Sequence, residues 1–168
     1  MEIKPKIIKN NLFKDNRGSL LKIAHSDFFL KSKKKKIKIN QINITHTKKR
    51  GTIRGMHFQK KSFKELKIVT CLKGKIFDAI IDVRVNKKSY GKIKKFILDK
   101  PTKSLVIPEG YAHGFQSLTN DCTILYLHSN FYSKKFEDTI NPLKIDLDWP
   151  IKQVVISKKD KNGKILKV

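Results

Sequence analysis

The stretch GTIRGMHFQ (51–59) sets a titratable ring, His57, three residues after a guanidinium, Arg54, with Gly51 and Gly55 close by. Further along, Lys67, Asp78, Arg84, His113 and Tyr126 are polar residues lying within or beside apolar runs. Neutral imidazole titrates near physiological pH and is the usual group for taking a proton. A phenol can donate across a short gap to a developing carbanion or enolate. A lysine aimed at the enolate oxygen supplies the charge that carbon-acid chemistry requires. Base, acid and cation together specify proton abstraction next to a carbonyl. Any one of them alone is more often structural; the combination carries the reading.

Other chemistries find less support. Barrels that ligate a metal commonly use an H-x-H pair, a carboxylate and a later histidine, but here the residues are His57-Phe58-Gln59. Only His57 and His113 remain as inward ligands, one short of the usual set, so no metal is expected. Neither cysteine has a basic or helix-start context, and no G-x-S-x-G elbow occurs, which argues against a nucleophile. No glycine-rich phosphate loop is present. The expectation is an active site without a cofactor.

Strands must position these groups. QINITHT (41–47) alternates in polarity. KIVTCL (67–72) and IFDAIIDVRV (76–85) flank Lys73-Gly74-Lys75 and read as a hairpin that brings Lys67 close to Asp78. KKFILD (94–99), SLVIP (104–108), HGFQSL (113–118), CTILYLH (122–128) and KQVVIS (152–157) are further strands. Turn residues separate them: Asn86 to Gly91, Glu109-Gly110, Thr119-Asn120-Asp121, and Pro142 with Pro150. Residues 51–59 hold too little apolar surface for a core strand, and 129–150 read as a short helix or a loop covering one end. Many short strands without helical periodicity predict an all-β fold, a sandwich or small barrel, in one domain spanning 1–168. Such barrels bind ligands in their mouths or interiors.

Composition narrows the setting. No stretch approaches the roughly 18 apolar residues of a membrane span, and the N-terminal MEIKPKIIKNNLF lacks the apolar region of a secretory signal. Cys71 and Cys122 lie inside apolar runs, as buried thiols do, and imply a reducing, cytoplasmic setting. The formal net charge of +25 suggests nucleic acid, yet only four of the 39 basic side chains are arginine. Base readers favour arginine forks and single-strand binders interleave aromatics. The densest run, KSKKKKIK (31–38), has no aromatic. The lysines read as solvated faces, with no specific nucleic-acid partner.

Longer motifs carry a resemblance. IRGMHFQ (53–59), DVRVNKKSYGK (82–92) and LVIPEGYAHGFQSL (105–118), with DNRGSL (15–20), IDLDWP (145–150) and ISKKD (156–160), follow in order along nearly the whole chain. This set resembles the dTDP-4-dehydrorhamnose 3,5-epimerases and their nucleotide-sugar relatives. The resemblance implies a cupin-like jelly-roll β-barrel that works without metal, as a homodimer with exchanged N-terminal strands. It also implies epimerisation of a nucleoside-diphosphate 4-keto-6-deoxyhexose at C3 and C5. By the same likeness His57 is the base, Asp160 its acidic partner, Lys67 the cation on the enolate and Tyr126 the acid on the opposite face. Tyr132 matches an aromatic that stacks on the nucleotide base, and Arg17, Gln41, Asn43, Arg54, His113, Glu137 and Lys159 match positions contacting sugar, diphosphate or base. Lys22 stands where the family commonly has a glutamate, and the segment after Glu137 is shorter than usual; both departures fall on the nucleotide side.

Plainer expectations stand beside these. Asp78 and Arg84 either serve the site or pair with each other in the barrel. His46 and His128 read as ordinary strand positions, Lys159 as either a ligand or one more solvated lysine, and His25 beside Asp27 carries no signal. The enzymatic alternatives are a 3-epimerase or a ketoisomerase. The alternative of another class is a non-catalytic sugar- or polyanion-binding barrel.

Overall fold

The protein, seen in a computed structural model, is described over residues 3–23 and 37–167. His25, Asp27 and residues 31–36 of the lysine-rich run lie outside the described residues. The chain forms β1 (Lys6–Lys9), β2 (Asn11–Asp15), β3 (Gly18–Lys22), β4 (Gln41–Thr47), β5 (Thr52–Gln59), β6 (Lys67–Lys73), β7 (Ile76–Asp82) and β8 (Ile93–Leu98). It continues with β9 (Lys103–Ile107), β10 (Tyr111–Ser117), β11 (Cys122–His128), β12 (Glu137–Thr139), β13 (Val155–Ile156) and a short helix, α1 (Lys158–Lys161). Two sheets face each other, one ordered β1-β9-β6-β11-β4 and the other β12-β5-β10-β7-β8, with β13 beside β5. All pairs but β13 with β5 are antiparallel, as a cupin-like jelly-roll barrel requires.

Alternation along the strands sorts the interior. On β11, Cys122, Ile124, Tyr126 and His128 share the inner face, and the register sets Ile124 against Cys71, Tyr126 against Val69 and His128 against Lys67. Read along these rungs, the interior changes from apolar to polar. The apolar end packs Val69, Cys71, Ile76, Ile80, Leu105 and Phe115 between the sheets. Burying each large side chain contributes about 2 kcal/mol. The polar end stays open.

The segment 51–59 is a strand after all, and a central one. β5 pairs with β10, β12 and β13. It needs no run of apolar residues because it is covered on both faces: Ile53 and Met56 are buried in an outer cluster with Ala79, Ile81 and Ala112, while polar side chains point inward. That outer cluster is roofed by Ile140, Leu147 and Trp149, so 129–150 covers a sheet face rather than an end, and it contains no helix.

The expected hairpin at 73–75 is instead an arch. β6 pairs with β9 and β11 in one sheet, and β7 with β8 and β10 in the other. Gly74, at φ +84°, carries the chain across where a Cβ would meet the Cys122 sulfur at 2.7 Å. Lys67 and Asp78 therefore face the interior from opposite sheets and form no ion pair with each other. Nor does Arg84 join Asp78. β7 stops at Asp82, whose carboxylate accepts from the Arg84 backbone N–H, the Arg84 guanidinium and the Ser89 hydroxyl. Likewise 152–157 yields only the two residues of β13 before Ser157 starts α1.

Candidate active site

Residues three apart on a regular strand point to opposite faces, so Arg54 and His57 would be separated were β5 straight. It is not. His113 lies opposite His57, but Phe115, two residues on, lies opposite Arg54, so β5 carries one extra residue as a bulge. The bulge turns both side chains toward the interior. Its backbone requires glycine: Gly55 has φ +130°, and a Cβ there would sit 2.4 Å from the Gly114 Cα. The glycines of RGMH and AHGF are thus two sides of one close contact.

Asp160 arrives from the far end of the chain. β13 runs parallel to β5, and Ser157 then caps α1 by accepting the Asp160 N–H at 3.0 Å. The Asp160 carboxylate meets His57 Nε2 at 2.7 Å and accepts the Gly55 N–H at 3.2 Å. Burial alone would raise this carboxyl, but the His57 hydrogen bond and charge, with the Gly55 N–H, outweigh it and hold it below the usual carboxylate range. An ionised Asp160 fixes the proton of His57 on Nε2 and leaves Nδ1 with its lone pair. The His57 side chain is 32% exposed while Asp160 is 6% exposed, so the ring reaches the cavity and its partner does not.

The opposite sheet supplies Lys67 and Tyr126. The Lys67 ammonium donates to the His57 carbonyl at 3.3 Å and ion-pairs with Glu65 at 3.3 Å. Glu65 also receives His128 Nδ1 at 2.8 Å. Burial would raise the Glu65 carboxyl, but the His128 hydrogen bond and the Lys67 charge prevail and lower it. The Tyr126 ring is stacked at 22° on His128, centroids 6.0 Å apart, and meets His113 edge-on at 6.2 Å. Burial pushes its phenol well above the ordinary value, with the Asp78 charge adding to the rise. A phenol so placed remains a proton donor at any working pH. His113 Nε2 in turn lies 2.9 Å from the fully buried Asp78.

All of these groups but Asp78 line one cavity of about 610 Å³, well within the range of small-ligand sites. His57, Asp160, Lys67 and Tyr126 all border it, and so do Gln41, Asn43, Arg54, His113, Tyr132, Glu137 and Lys159. Lys159 is no free surface lysine, since its ammonium sits 2.6 Å from Glu137, which also accepts from the Tyr132 hydroxyl at 3.0 Å. Arg17 is the exception. It stands in the exposed β2–β3 hairpin, paired with Asp15, away from the cavity, and Lys22 lies on the same hairpin. The structure adds Glu65 and His128 to the cavity lining, while Asp78, a candidate from the sequence, stands behind His113 and not on the cavity wall. His128 is two residues beyond Tyr126 on one strand, and this period-two spacing signals a shared face. Among the described residues, no three His, Cys, Asp or Glu side chains group as a metal site would need.

An antiparallel jelly roll with a polar cavity at its open end is the architecture of the cupin-like epimerases. A family profile for dTDP-4-dehydrorhamnose 3,5-epimerase matches residues 4–167. The chain is 33% identical to the dTDP-4-dehydrorhamnose 3,5-epimerase of Shigella flexneri over 160 residues, which cover 94% of this chain and 88% of that one. It is 32% identical to the dTDP-4-dehydrorhamnose 3-epimerase of Streptomyces niveus, over 90% of this chain and 74% of that one. A Legionella pneumophila dTDP-6-deoxy-D-glucose-3,5-epimerase, solved in complex with dTDP-4-keto-L-rhamnose, matches its fold with TM-score 0.87 at 28% identity, covering 96% and 87% of the two chains. The chain belongs to the dTDP-4-dehydrorhamnose 3,5-epimerase family. It is therefore an enzyme of the isomerase class, and the reading as a non-catalytic binding barrel falls away.

Proposed function

We propose that the protein inverts C3 and C5, the carbons flanking the C4 ketone, in a nucleoside-diphosphate 4-keto-6-deoxyhexose of the dTDP-4-dehydrorhamnose kind. One observation carries this reading: the His57–Asp160 pair on one sheet and Tyr126 on the other border a single cavity, with Lys67 beside them. Nδ1 of His57 takes the proton from the carbon next to the ketone. The electron pair moves onto the C4 oxygen, where the Lys67 ammonium stabilises the enolate. Tyr126 returns a proton to the carbon from the opposite face, and the C4 ketone re-forms with the configuration inverted. A positioned base of this type contributes about 10²–10⁴-fold. Gln41, Asn43, Arg54 and His113 are read as holding the sugar and diphosphate, with Tyr132, Glu137 and Lys159 at the nucleotide end.

The test is solvent exchange. His57→Ala should abolish deuterium uptake at C3 and C5 of a 4-keto sugar nucleotide in D2O, whereas unchanged uptake would remove His57 as the base. Likeness to a 3-epimerase supports a second reading, inversion at C3 alone. Two deuterons per sugar favour the first reading and one favours the second.

The working form is read as a homodimer. Leu12, Phe13 and Leu20 are exposed on the β2–β3 hairpin, which among the described residues pairs with neither sheet. A lone hairpin is marginal in water. Docking it on a second copy would cover those side chains and carry Arg17 toward the other subunit's cavity. Cys71 and Cys122 are free thiols, which suits a cytoplasmic enzyme. Among the described residues no helix is long and apolar enough to cross a membrane.

A further inference from the structure

Behind the catalytic groups runs a continuous hydrogen-bonded chain whose direction can be read. Its outer end is the Tyr132 backbone N–H, which can only donate, and it meets Gln41 Oε1 at 2.8 Å. That contact fixes the Gln41 amide, so its Nε2 donates to Asn43 Oδ1 at 3.1 Å. Asn43 is fixed in turn, and its Nδ2 faces His128 Nε2 at 3.3 Å. A donor there requires His128 Nε2 to accept. The inner end makes the same demand independently: the Glu65 carboxylate can only accept, so His128 Nδ1 must carry the proton at 2.8 Å. Both ends call for one species, the neutral Nδ1–H imidazole. The second Glu65 oxygen then holds the Lys67 ammonium.

We infer that Glu65 and His128 are positioning residues of the epimerase, a relay of fixed polarity that ties the Lys67 ammonium at the reacting end of the cavity to Tyr132 at its nucleotide end. The inference rests on the proposed reaction for what the two ends do, but not for the relay itself. His128 faces Glu65 from the β5–β6 connection, Lys67 from β6, Asn43 from β4 and the Tyr126 ring on its own strand. The Glu65 and His128 side chains are only 7% and 12% exposed. A second proton on His128 would set two donors against each other at Asn43. Flipping the Asn43 amide relieves that clash only by passing it to Gln41, and then to the Tyr132 N–H, which cannot turn.

Two substitutions cut the relay on different sides. The amide nitrogen of His128→Asn falls near the former Nδ1, so it keeps the donor to Glu65 and loses the Asn43 link. The longer His128→Gln reaches the former Nε2, so it keeps Asn43 and abandons Glu65. Both variants lose the ring stacked on Tyr126, so they are read against each other: His128→Asn should show a kcat about tenfold above that of His128→Gln and a KM about tenfold above it. Ring 15N spectra of the whole protein near neutral pH, assigned by the loss of signal in these variants, should show His128 as the Nδ1–H tautomer. Glu65→Gln should leave that tautomer in place, because the chain from the Tyr132 N–H still makes Nε2 the acceptor and the new amide oxygen can take the Nδ1 proton. Equal kcat and equal KM in the two variants would overturn the relay, as would an Nε2–H or doubly protonated His128 in the parent. If the parent exchanged no 4-keto sugar nucleotide, the proposed function would fail, and the spectra would still decide the relay.

Discussion

Two imidazole–carboxylate pairs sit side by side on the six-stranded sheet, and they are not equivalent. His57 meets Asp160 at 2.7 Å and His113 meets Asp78 at 2.9 Å, with His57 and His113 directly opposite each other on β5 and β10. Their surroundings diverge. Asp160 also accepts the Gly55 N–H, and its carboxyl is lowered. Asp78 is 0% exposed and its Oδ1 has no partner among the described residues; burial raises its carboxyl, and the His113 and Lys67 charges offset this only in part. The His57 ring opens to the cavity while His113 is 5% exposed and packed on the Tyr126 ring. In the proposed mechanism the same two residue types thus serve as a base in one place and as a support for the acid in the other. Solvation and the count of donors to the carboxylate decide which.

The largest effect should come from breaking the ionised pair. In Asp160→Asn the amide no longer dictates which nitrogen of His57 carries the proton, so kcat for deuterium exchange should fall about a thousandfold, as expected for a base held in the wrong tautomer. His113→Asn removes an edge-on contact to Tyr126, a partner of Asp78 and one of the groups read as holding the sugar and diphosphate. Its kcat should drop about tenfold, the scale of a lost positioning contact. Equal losses in the two variants would abolish the distinction between base and support.

That distinction was only half legible in the sequence. β4 and β11 span the same residues as the alternating run QINITHT and the apolar run CTILYLH, whose flanking turn residues set their ends. β5 was hidden: a bulged strand buried on both faces has no alternation to read, and its key contact, Gly55 against Gly114, joins segments almost sixty residues apart. The turn Lys73-Gly74-Lys75 reads the same whether the chain doubles back in one sheet or arches between two, so the sequence cannot tell that Lys67 and Asp78 stand on opposite sheets rather than on one hairpin. Asp82 and Asp78 are both inward carboxylates four residues apart, and only the β7 terminus shows that Arg84 belongs to the nearer one. Of the four central residues, Asp160 is the least predictable from chemistry alone, since a lysine-rich S-K-K-D element gives no sign of its burial. The family likeness, not the spacing, singled it out.

The smallest effect is also the one with opposite signs at the two pairs. A carboxyl lowered in the folded state contributes stability above its unfolded value near 4 and loses it as pH falls through the folded value. Asp160 behaves this way, so Asp160→Asn should lower Tm by a few degrees at neutral pH, the deficit vanishing in acid. A carboxyl raised in the folded state does the reverse: the fold is favoured while the group is protonated, and that advantage is lost as pH rises through the folded value. Asp78→Asn replaces the unpartnered oxygen with an equally unpartnered amide nitrogen and removes a buried charge. Its Tm should match the parent in acid and exceed it by a few degrees above neutral pH. Thermal melts of both variants across one pH series would therefore diverge from a common point, one below the parent and one above. If Asp78→Asn instead tracked Asp160→Asn, Asp78 would be a stabilising carboxylate with a lowered titration, and the two pairs would differ in exposure alone.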